Sequence, residues 1–475
     1  MSKFLKKLWI NDKPISTNWK NMHLVGVGGI GMQGLARWLL QLGYTVSGSD
    51  DAKFLQNNTL LQAKHVLGEK FDKLKIYREN DTPLANCYIF SSGITANHSQ
   101  YIYANLNNIS CFHRTSVLQF ILKNFNTNYA KKIVSITGTH GKGTVTALLT
   151  WILHINQYNP SFYIGATLRS LNTSAYYNIN DENLISVIEA DESDGSMLNL
   201  RGNIQCITNI DTDHLDFYGD LNNFKEYMKR YASQCNVGVC NVRDKSLVPK
   251  GWLTYSIDKL ADITATNIRF LKLQMMFDIH GPWGCWKNVI LNQFGTHSIE
   301  NALAAVGLSY ILGLSKNQII KGLHSFLGTY KRMESYNIRG VTWIHDYAHH
   351  PTAIKLMINS LKIMSNVYVV CEIHKYTRFE KLHELFVNAL QEAKKVLILP
   401  VYSAGTVSKK YKCDMDVFLY LKKYLDCEYI DSELMLEKWC IANLLDKDVI
   451  LFVGAGNIYS IGRNVQKKFE NSGTF

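Results

Sequence analysis

The sequence predicts an α/β protein built as three domains, and three observations carry the prediction. Short apolar runs alternate with helix-period segments along the whole chain, the pattern of α/β layers. Glycine-rich turns follow apolar runs at Gly26, Gly138 and Gly454. A chain of 475 residues is also too long for one ordinary hydrophobic core. The segments divide at the polar stretch Lys123–Asn128 and near Gly328, giving domains over 1–125, 126–328 and 329–475. The glycine turns predict Rossmann-like topology in the first and third domains. In the second they predict a P-loop ATPase-type sheet, parallel or mixed.

Composition narrows the class. The chain is 47% hydrophobic and 19% charged with only 7 prolines, as a globular protein is. It has no run of eighteen apolar residues, so no transmembrane helix and no membrane partner are expected. The basic start MSKFLKKLWINDK lacks the continuous apolar stretch and cleavage site of a signal peptide. The 10 cysteines show no CxxC spacing and read as buried thiols in a reducing cytoplasm. The net charge of +12 is spread without a compact basic block, so small anionic substrates are expected and nucleic acid is not.

Within the central segment, Ile136–Leu148 (ITGTHGKGTVTAL) is the most informative stretch. Apolar Lys132–Ile136 precedes the turn and apolar-periodic Thr144–Ile155 follows it, so the order is strand, turn, helix. Gly138 and Gly141 let the backbone through Thr139 and His140 fold tightly, with its N–H groups inward. The helix N-terminus and the Lys142 ammonium add positive charge at the same spot. This construction binds the phosphates of a nucleoside triphosphate. Many phosphate loops have Thr directly after the Lys; here Gly143 intervenes and Thr144 follows.

Two further strand-like runs in this segment end in polar motifs. Leu184–Ala190 leads into Glu189-Ala-Asp191-Glu192-Ser-Asp194, and Gln205–Ile210 leads into Asp211-Thr-Asp213-His214. Strand carboxyl ends line one edge of a parallel sheet, so Lys142, Thr144, Glu192 and His214 are expected to converge. A hydroxyl, a carboxylate and an imidazole beside phosphate oxygens can hold Mg²⁺. An ordinary turn accounts for any one of these residues; it does not account for all of them after a phosphate loop. Asn301, in a helix starting at His297, is placed to meet an adenine edge, and Lys331-Arg332 is either a solvated pair or an arginine delivered to phosphoryl-transfer charge.

The first segment carries Gly26-Val-Gly28-Gly29-Ile30-Gly31 after a strand, then a helix from Met32 to Leu42 and a strand ending in Ser49-Asp50. The pattern selects a diphosphate at a helix N-terminus, which NAD, FAD or a nucleotide sugar supplies equally well. Ser91-Ser92, after Cys87–Phe90, offers hydroxyls to the same crevice, and a plain turn explains the pair as well. In the third segment, Val341–Asp346 ends in Asp346-Tyr347-Ala-His349-His350-Pro351, where Asp346 suits a ribose hydroxyl. Val367–Cys371 leads to His374-Lys375-Tyr376-Thr377-Arg378, a basic set suited to a carboxylate. Val449–Val453 leads to Gly454-Ala-Gly456-Asn457-Ile458, which reads as another backbone-anion turn.

The order of these motifs, from Gly26 to Asn457, resembles that of the Mur ligases over almost the whole chain. Within the family it is most similar to the members that add L-alanine to UDP-N-acetylmuramate. The resemblance implies an ATP-dependent ligation: the sugar's lactyl carboxylate becomes an acyl phosphate, and the alanine amine displaces phosphate. That is the first peptide step of peptidoglycan synthesis. It implies ATP and Mg²⁺ as cofactors, and a monomer or weak homodimer acting on small molecules. ATP would be bound by Gly138, Thr139, His140, Gly141, Lys142, Gly143, Thr144, Asn301, Arg332 and Asp346. The UDP-sugar would take Gly28, Gly29, Ile30, Gly31, Ser49, Asp50, Ser91 and Ser92. The amino acid would face His374, Lys375 and Arg378. Lys142, Glu192, His214 and Arg332 would be catalytic, with Thr144, Glu192 and His214 on the metal.

The chain departs from the family pattern at Gly143, where folylpolyglutamate synthases are similar to it. It also departs at Glu372-Ile373, usually Gln-Pro, at Lys375, usually Arg, and at Thr406, usually Glu. Most of these lie at the amino-acid end. Alternatives are a sister ligase for murein tripeptide or folate, a catalytically weakened nucleotide-binding remnant, or an NAD-dependent oxidoreductase. The last leaves Lys142, Glu192 and His214 unexplained.

Overall fold

The structure is a computed structural model. It describes residues 15–16, 18–51, 66–125, 131–179, 185–212, 214–271, 273–362, 365–403 and 410–472. Thr406, Asp213 and the first fourteen residues lie outside these. The protein is α/β, with three sheets. Contacts group the chain into two compact units. One comprises the chain to Ile268 with Phe277–Leu291 and Ile299–Leu327; the other comprises Arg269–Met276, Asn292–Ser298 and Gly328–Phe475.

The first sheet contains β1 (Asn21–Val25), β2 (Thr45–Asp50), β3 (Lys75–Arg78), β4 (Cys87–Phe90) and β5 (Ser110–His113). Its order is β3-β2-β1-β4-β5, all parallel. The strand order reverses between β1 and β4, which is where a doubly wound sheet opens its ligand crevice. The helix after β1 spans Ile30–Gln41, two residues earlier than the sequence suggests, because Gly29 adopts an extended capping conformation. Nine of its residues are buried, including Leu35, Trp38 and Leu39. It is apolar on more than one face because it is covered on two sides. Trp38 Nε1 donates to Phe162 O (3.1 Å), and Tyr163 Oη donates to Gly31 O (2.7 Å).

The second sheet adds β6 (Lys132–Thr137), β7 (Ser161–Leu168), β8 (Thr173–Tyr176), β9 (Ile185–Glu189), β10 (Ile204–Ile207), β11 (Gly238–Asn241), β12 (Leu253–Ser256), β13 (Ile263–Leu271), β14 (Gln274–Gly281) and β15 (Gly284–Leu291). Its order is β15-β14-β13-β12-β11-β10-β6-β9-β7-β8. The centre is parallel, and β7–β8 is antiparallel. The helix after β6 starts at Lys142 rather than Thr144, since Gly141 at φ +82° serves as its cap.

The third sheet contains β16 (Glu334–Ile338), β17 (Val341–Asp346), β18 (Val367–Cys371), β19 (Lys395–Ile398), β20 (Cys427–Tyr429) and β21 (Val449–Val453). Its order is β16-β17-β21-β18-β19-β20, parallel except for the hairpin β16–β17. That hairpin places a strand ahead of the run expected to open the segment. All ten cysteines are free thiols, but Cys285 and Cys413 are exposed, contrary to the expectation of uniformly buried ones. Among the described residues, no helix is long and apolar enough to cross a membrane.

Candidate active site

Strand register sets the central motifs side by side. Ile136 pairs with Glu189, and Thr137 pairs with Ile207, so the phosphate loop leaves the sheet between the acidic and histidine turns. Gly138 has φ +133°, and a β-carbon there would lie 2.1 Å from Thr208 Oγ1. The Thr208–Asp211 segment fastens the loop. Thr139 N–H donates to Asn209 O (3.0 Å) and His140 N–H to Asn209 Oδ1 (2.9 Å). Thr208 Oγ1 and Asn209 Nδ2 both donate to His140 O, at 2.7 and 2.9 Å. Asn301 Oδ1 stands where a β-carbon of Gly141 would be, 2.2 Å away, so this buried amide lies against the loop glycine.

Lys142, Glu192 and His214 meet. Lys142 Nζ straddles the Glu192 carboxylate at 2.9 and 2.8 Å from its two oxygens, and His214 Nε2 is 3.4 Å from Oε1. Glu192 is fully buried, and Tyr218 Oη donates to its carbonyl. Burial pulls the Lys142 pKa down, yet Glu192, Asp191 and Glu189 together hold it above the usual lysine value. His214 adopts φ +55°, an uncommon conformation for a non-glycine residue and often a mark of a functional constraint. Thr144 is half-buried on the first turn of the helix.

Glu189 was not singled out from sequence. Its Oε2 accepts the Gly165 N–H at 2.6 Å. A β-carbon on Gly143 would come 3.2 Å from the same oxygen, closer than ordinary contact. The unusual glycine after the phosphate-loop lysine therefore makes room for a carboxylate. Glu189 opens the acidic motif, but its two glycine neighbours reach it through separate strand pairings, Gly143 by way of β6–β9 and Gly165 by way of β7–β9, which the sequence does not show.

In the first sheet, Val25 pairs with both Ser49 and Phe90, which sets Gly26, Asp50 and Ser91 at neighbouring strand ends. Asp50 Oδ2 accepts the Gly28 N–H (2.6 Å), so the acidic residue braces the glycine turn. Ser49 Oγ donates to Gln100 Oε1 (2.7 Å), and Ser92 Oγ lies 3.1 Å from His113 Nε2. Arg114 is a second residue missed from sequence. A β-carbon on Gly31 would lie 2.4 Å from its Nη1, and its Nη2 pairs with Asp191 Oδ2 (3.2 Å). One guanidinium thus links the nucleotide-type turn of the first sheet to the acidic turn of the second. Burial opposes ionisation of Asp191, but Lys142 and Arg114 bring its pKa down to about 2.

In the other unit, Asp346 pairs with Val453, and Val453 with Cys371, so three more motif loops start at one level. Asp346 accepts the N–H groups of Met333 and Ala348, both at 2.7 Å, closing a turn on itself. The Arg332 guanidinium lies 5.2 Å over the Tyr347 ring. Arg378 Nη1 donates to His374 Nδ1 (3.2 Å), and the His349 ring centre is 5.7 Å from that of His374. Burial, reinforced by Arg378, lowers His349 to about 3 and His374 to about 4, so both rings are neutral near pH 7. Lys375 adopts φ +73°, and its N–H donates to Tyr402 O (2.8 Å). The Gly454–Ile458 turn, expected to be open to an anion, is instead occupied by the Glu372 carboxylate.

Comparison with known proteins shows the family. The Mur ligase family catalytic domain matches residues 21–126, the Mur ligase middle domain 136–309, and the Mur ligase glutamate ligase domain 331–456. A UDP-N-acetylmuramate–L-alanine ligase of Aquifex aeolicus is 33% identical over 459 residues, covering 92% of this chain and 95% of that protein. The enzyme of the same name from Endomicrobium trichonymphae is 30% identical over 476 residues, covering 94% and 98%. The fold is similar to the crystal structure of UDP-N-acetylmuramate-alanine ligase from Thermotoga maritima, with TM-score 0.79 and 21% identity over 96% of this chain and 100% of that one. A murein peptide ligase of Psychrobacter arcticus superposes with TM-score 0.63 and 19% identity, covering 95% and 99%. The chain belongs to the Mur ligase family.

Proposed function

We propose that this protein joins L-alanine to the lactyl carboxylate of UDP-N-acetylmuramate at the expense of ATP, the first peptide step of a peptidoglycan precursor. The observation that carries the reading is the Lys142–Glu192–His214 cluster at the mouth of the phosphate loop, linked through Asp191 and Arg114 to the glycine turn of the first sheet. Relatives at 30–33% identity over nearly their whole length carry the alanine-ligase name.

A carboxylate acylates an amine poorly until one oxygen becomes part of a phosphate leaving group. The lactyl carboxylate attacks the γ-phosphorus of ATP and ADP leaves. The alanine amine then attacks the acyl carbon and inorganic phosphate leaves. The chain's own task is to bring anions together and neutralise them. Lys142 and the loop N–H groups take the ATP phosphates, and Arg332 approaches the γ-phosphate. The turn around Gly28–Gly31 and Arg114 takes the sugar nucleotide's diphosphate, with Ser49, Asp50, Ser91 and Ser92 around it. Asn301 and Asp346 are assigned to the nucleoside. His374, Lys375 and Arg378 receive the amino acid.

Thr144, Glu192 and His214, a hydroxyl, a carboxylate and an imidazole, are the residues that would hold Mg²⁺. Bound there, the ion would offset charge on the transferred phosphate. Phosphate release measured with UDP-N-acetylmuramate and alanine, serine or glycine tests the reading. Release is expected with alanine foremost and to cease on chelation of divalent ions. Faster release with UDP-N-acetylmuramate and a murein tripeptide, or with folate and glutamate, would assign the chain to a sister reaction.

A further inference from the structure

Three backbone N–H groups converge in the turn after β21. Gly456 and Ile458 donate to Glu372 Oε2 at 2.9 and 3.3 Å, and Asn457 donates to Oε1 at 3.0 Å. Such a turn, opening the helix Ile458–Asn471, is built to hold an anion, and here the anion is the chain's own side chain. Glu372 is 4% exposed.

Its position ties the turn to the basic corner. Glu372 is the first residue after β18, and its own N–H donates to Val453 O (3.0 Å). Ile373 O accepts the Tyr402 N–H (2.9 Å), and Lys375 N–H donates to Tyr402 O (2.8 Å). The Tyr402 ring stacks on His374, with centroids 5.4 Å apart and planes 14° apart. The mesh has no slack. A β-carbon on Gly456 would lie 2.5 Å from both Glu372 Oε2 and Tyr402 Cγ. Turn, carboxylate and tyrosine are therefore packed directly against one another.

We propose that Glu372 is a positioning residue of the amino-acid corner: its carboxylate is the built-in anion of the Gly454–Ile458 turn and holds the Tyr402–His374 pair in place. The inference rests on the proposed function, in which His374 and Arg378 receive the amino acid. Glutamine, the family's usual residue here, has one acceptor oxygen, so it would answer the Gly456 and Ile458 N–H groups but turn its NH₂ towards the third donor, Asn457 N–H. Losing even one bond to a charged acceptor weakens the corner by about tenfold in apparent affinity.

The test uses the full chain with Glu372→Gln and Glu372→Ala. The expected result is a rise of about tenfold in KM for alanine, with KM for ATP and UDP-N-acetylmuramate unchanged and kcat within about threefold. Formate, a small carboxylate, should refill the turn in Glu372→Ala. It should lower the alanine KM again and raise the melting temperature of that variant, and do neither to the wild type. Unchanged alanine KM in both variants would overturn the proposal, as would equal loss for all three substrates without formate rescue. A wild type that ligates no alanine would sink the proposed function instead. Formate-dependent stabilisation of Glu372→Ala would still support the internal anion, and its absence would still overturn it. Should Glu372→Ala fail to fold, the alanine KM of Glu372→Gln decides.

Discussion

Glu192 is fully buried and Lys142 half-buried beside it, and the buried carboxylate would not be tolerated without its counter-charge. The pairing keeps Lys142 protonated, and in the proposed function the ATP phosphates arrive beside it. Glu192→Gln removes the counter-charge without changing shape, and it should cost about 3 kcal/mol of stability and more than about a hundredfold in ATP-dependent turnover. Urea unfolding and phosphate release read the two effects separately. Thr144→Ala tests a different claim, that the metal-binding hydroxyl has moved one place past Gly143. Magnesium-dependent turnover should fall by about a hundredfold with unfolding unchanged; near-normal turnover would return the hydroxyl role to another residue. Lys142, Glu192 and His214 were legible because each sits in a motif at a strand end. Glu189 and Arg114 were not. Glu189 meets Gly143 through the β6–β9 pairing and Gly165 through the β7–β9 pairing, and Arg114, the first residue of the helix after β5, reaches Gly31 and Asp191 only through tertiary packing.

At the level of elements, each glycine turn has its own reason. Gly138 needs a backbone conformation foreign to other residues and clearance from Thr208. Gly31 sits in ordinary helix and needs only space, which Arg114 Nη1 and Tyr163 Oη fill. Gly31→Ala should displace that guanidinium. KM for UDP-N-acetylmuramate should rise by about tenfold while KM for ATP stays put; equal changes in both would show that Arg114 is not a sugar-nucleotide ligand. The strand–turn–helix order of all three glycine motifs was readable because periodicity switches at each turn. The fate of the third turn was not, since whether an anion turn is open depends on a side chain 84 residues away, Glu372. Boundaries slipped by about two residues because glycine caps carry no side-chain signal.

Across the whole molecule, the buried histidines set the response to acid. His23, His113 and His345 are at most 1% exposed, and burial lowers each to about 4 from 6.5. In the unfolded chain they take up protons first. Their contribution is therefore complete above pH ~6.5 and is lost as pH falls towards ~4, at up to ~1.4 kcal/mol per pH unit for each. Asp191, held near 2, does not oppose this, because its own contribution is lost only below the ordinary carboxylate range. Denaturation midpoints followed from neutral pH downwards should fall steeply in that window; a flat profile would contradict the burial of these rings.

The two glycine turns at Gly26 and Gly138 lie on one compact unit and the basic His374–Arg378 corner, proposed to receive the amino acid, on the other. The most direct measurement is the mass of the product formed from UDP-N-acetylmuramate, L-alanine and ATP, with each omitted in turn. The account predicts one new species, heavier than the sugar nucleotide by a single alanyl residue, formed only when all three are present and accompanied by equal amounts of ADP and phosphate. ATP cleavage that proceeds equally without the sugar nucleotide and alanine, or full cleavage with no alanylated product, would contradict it.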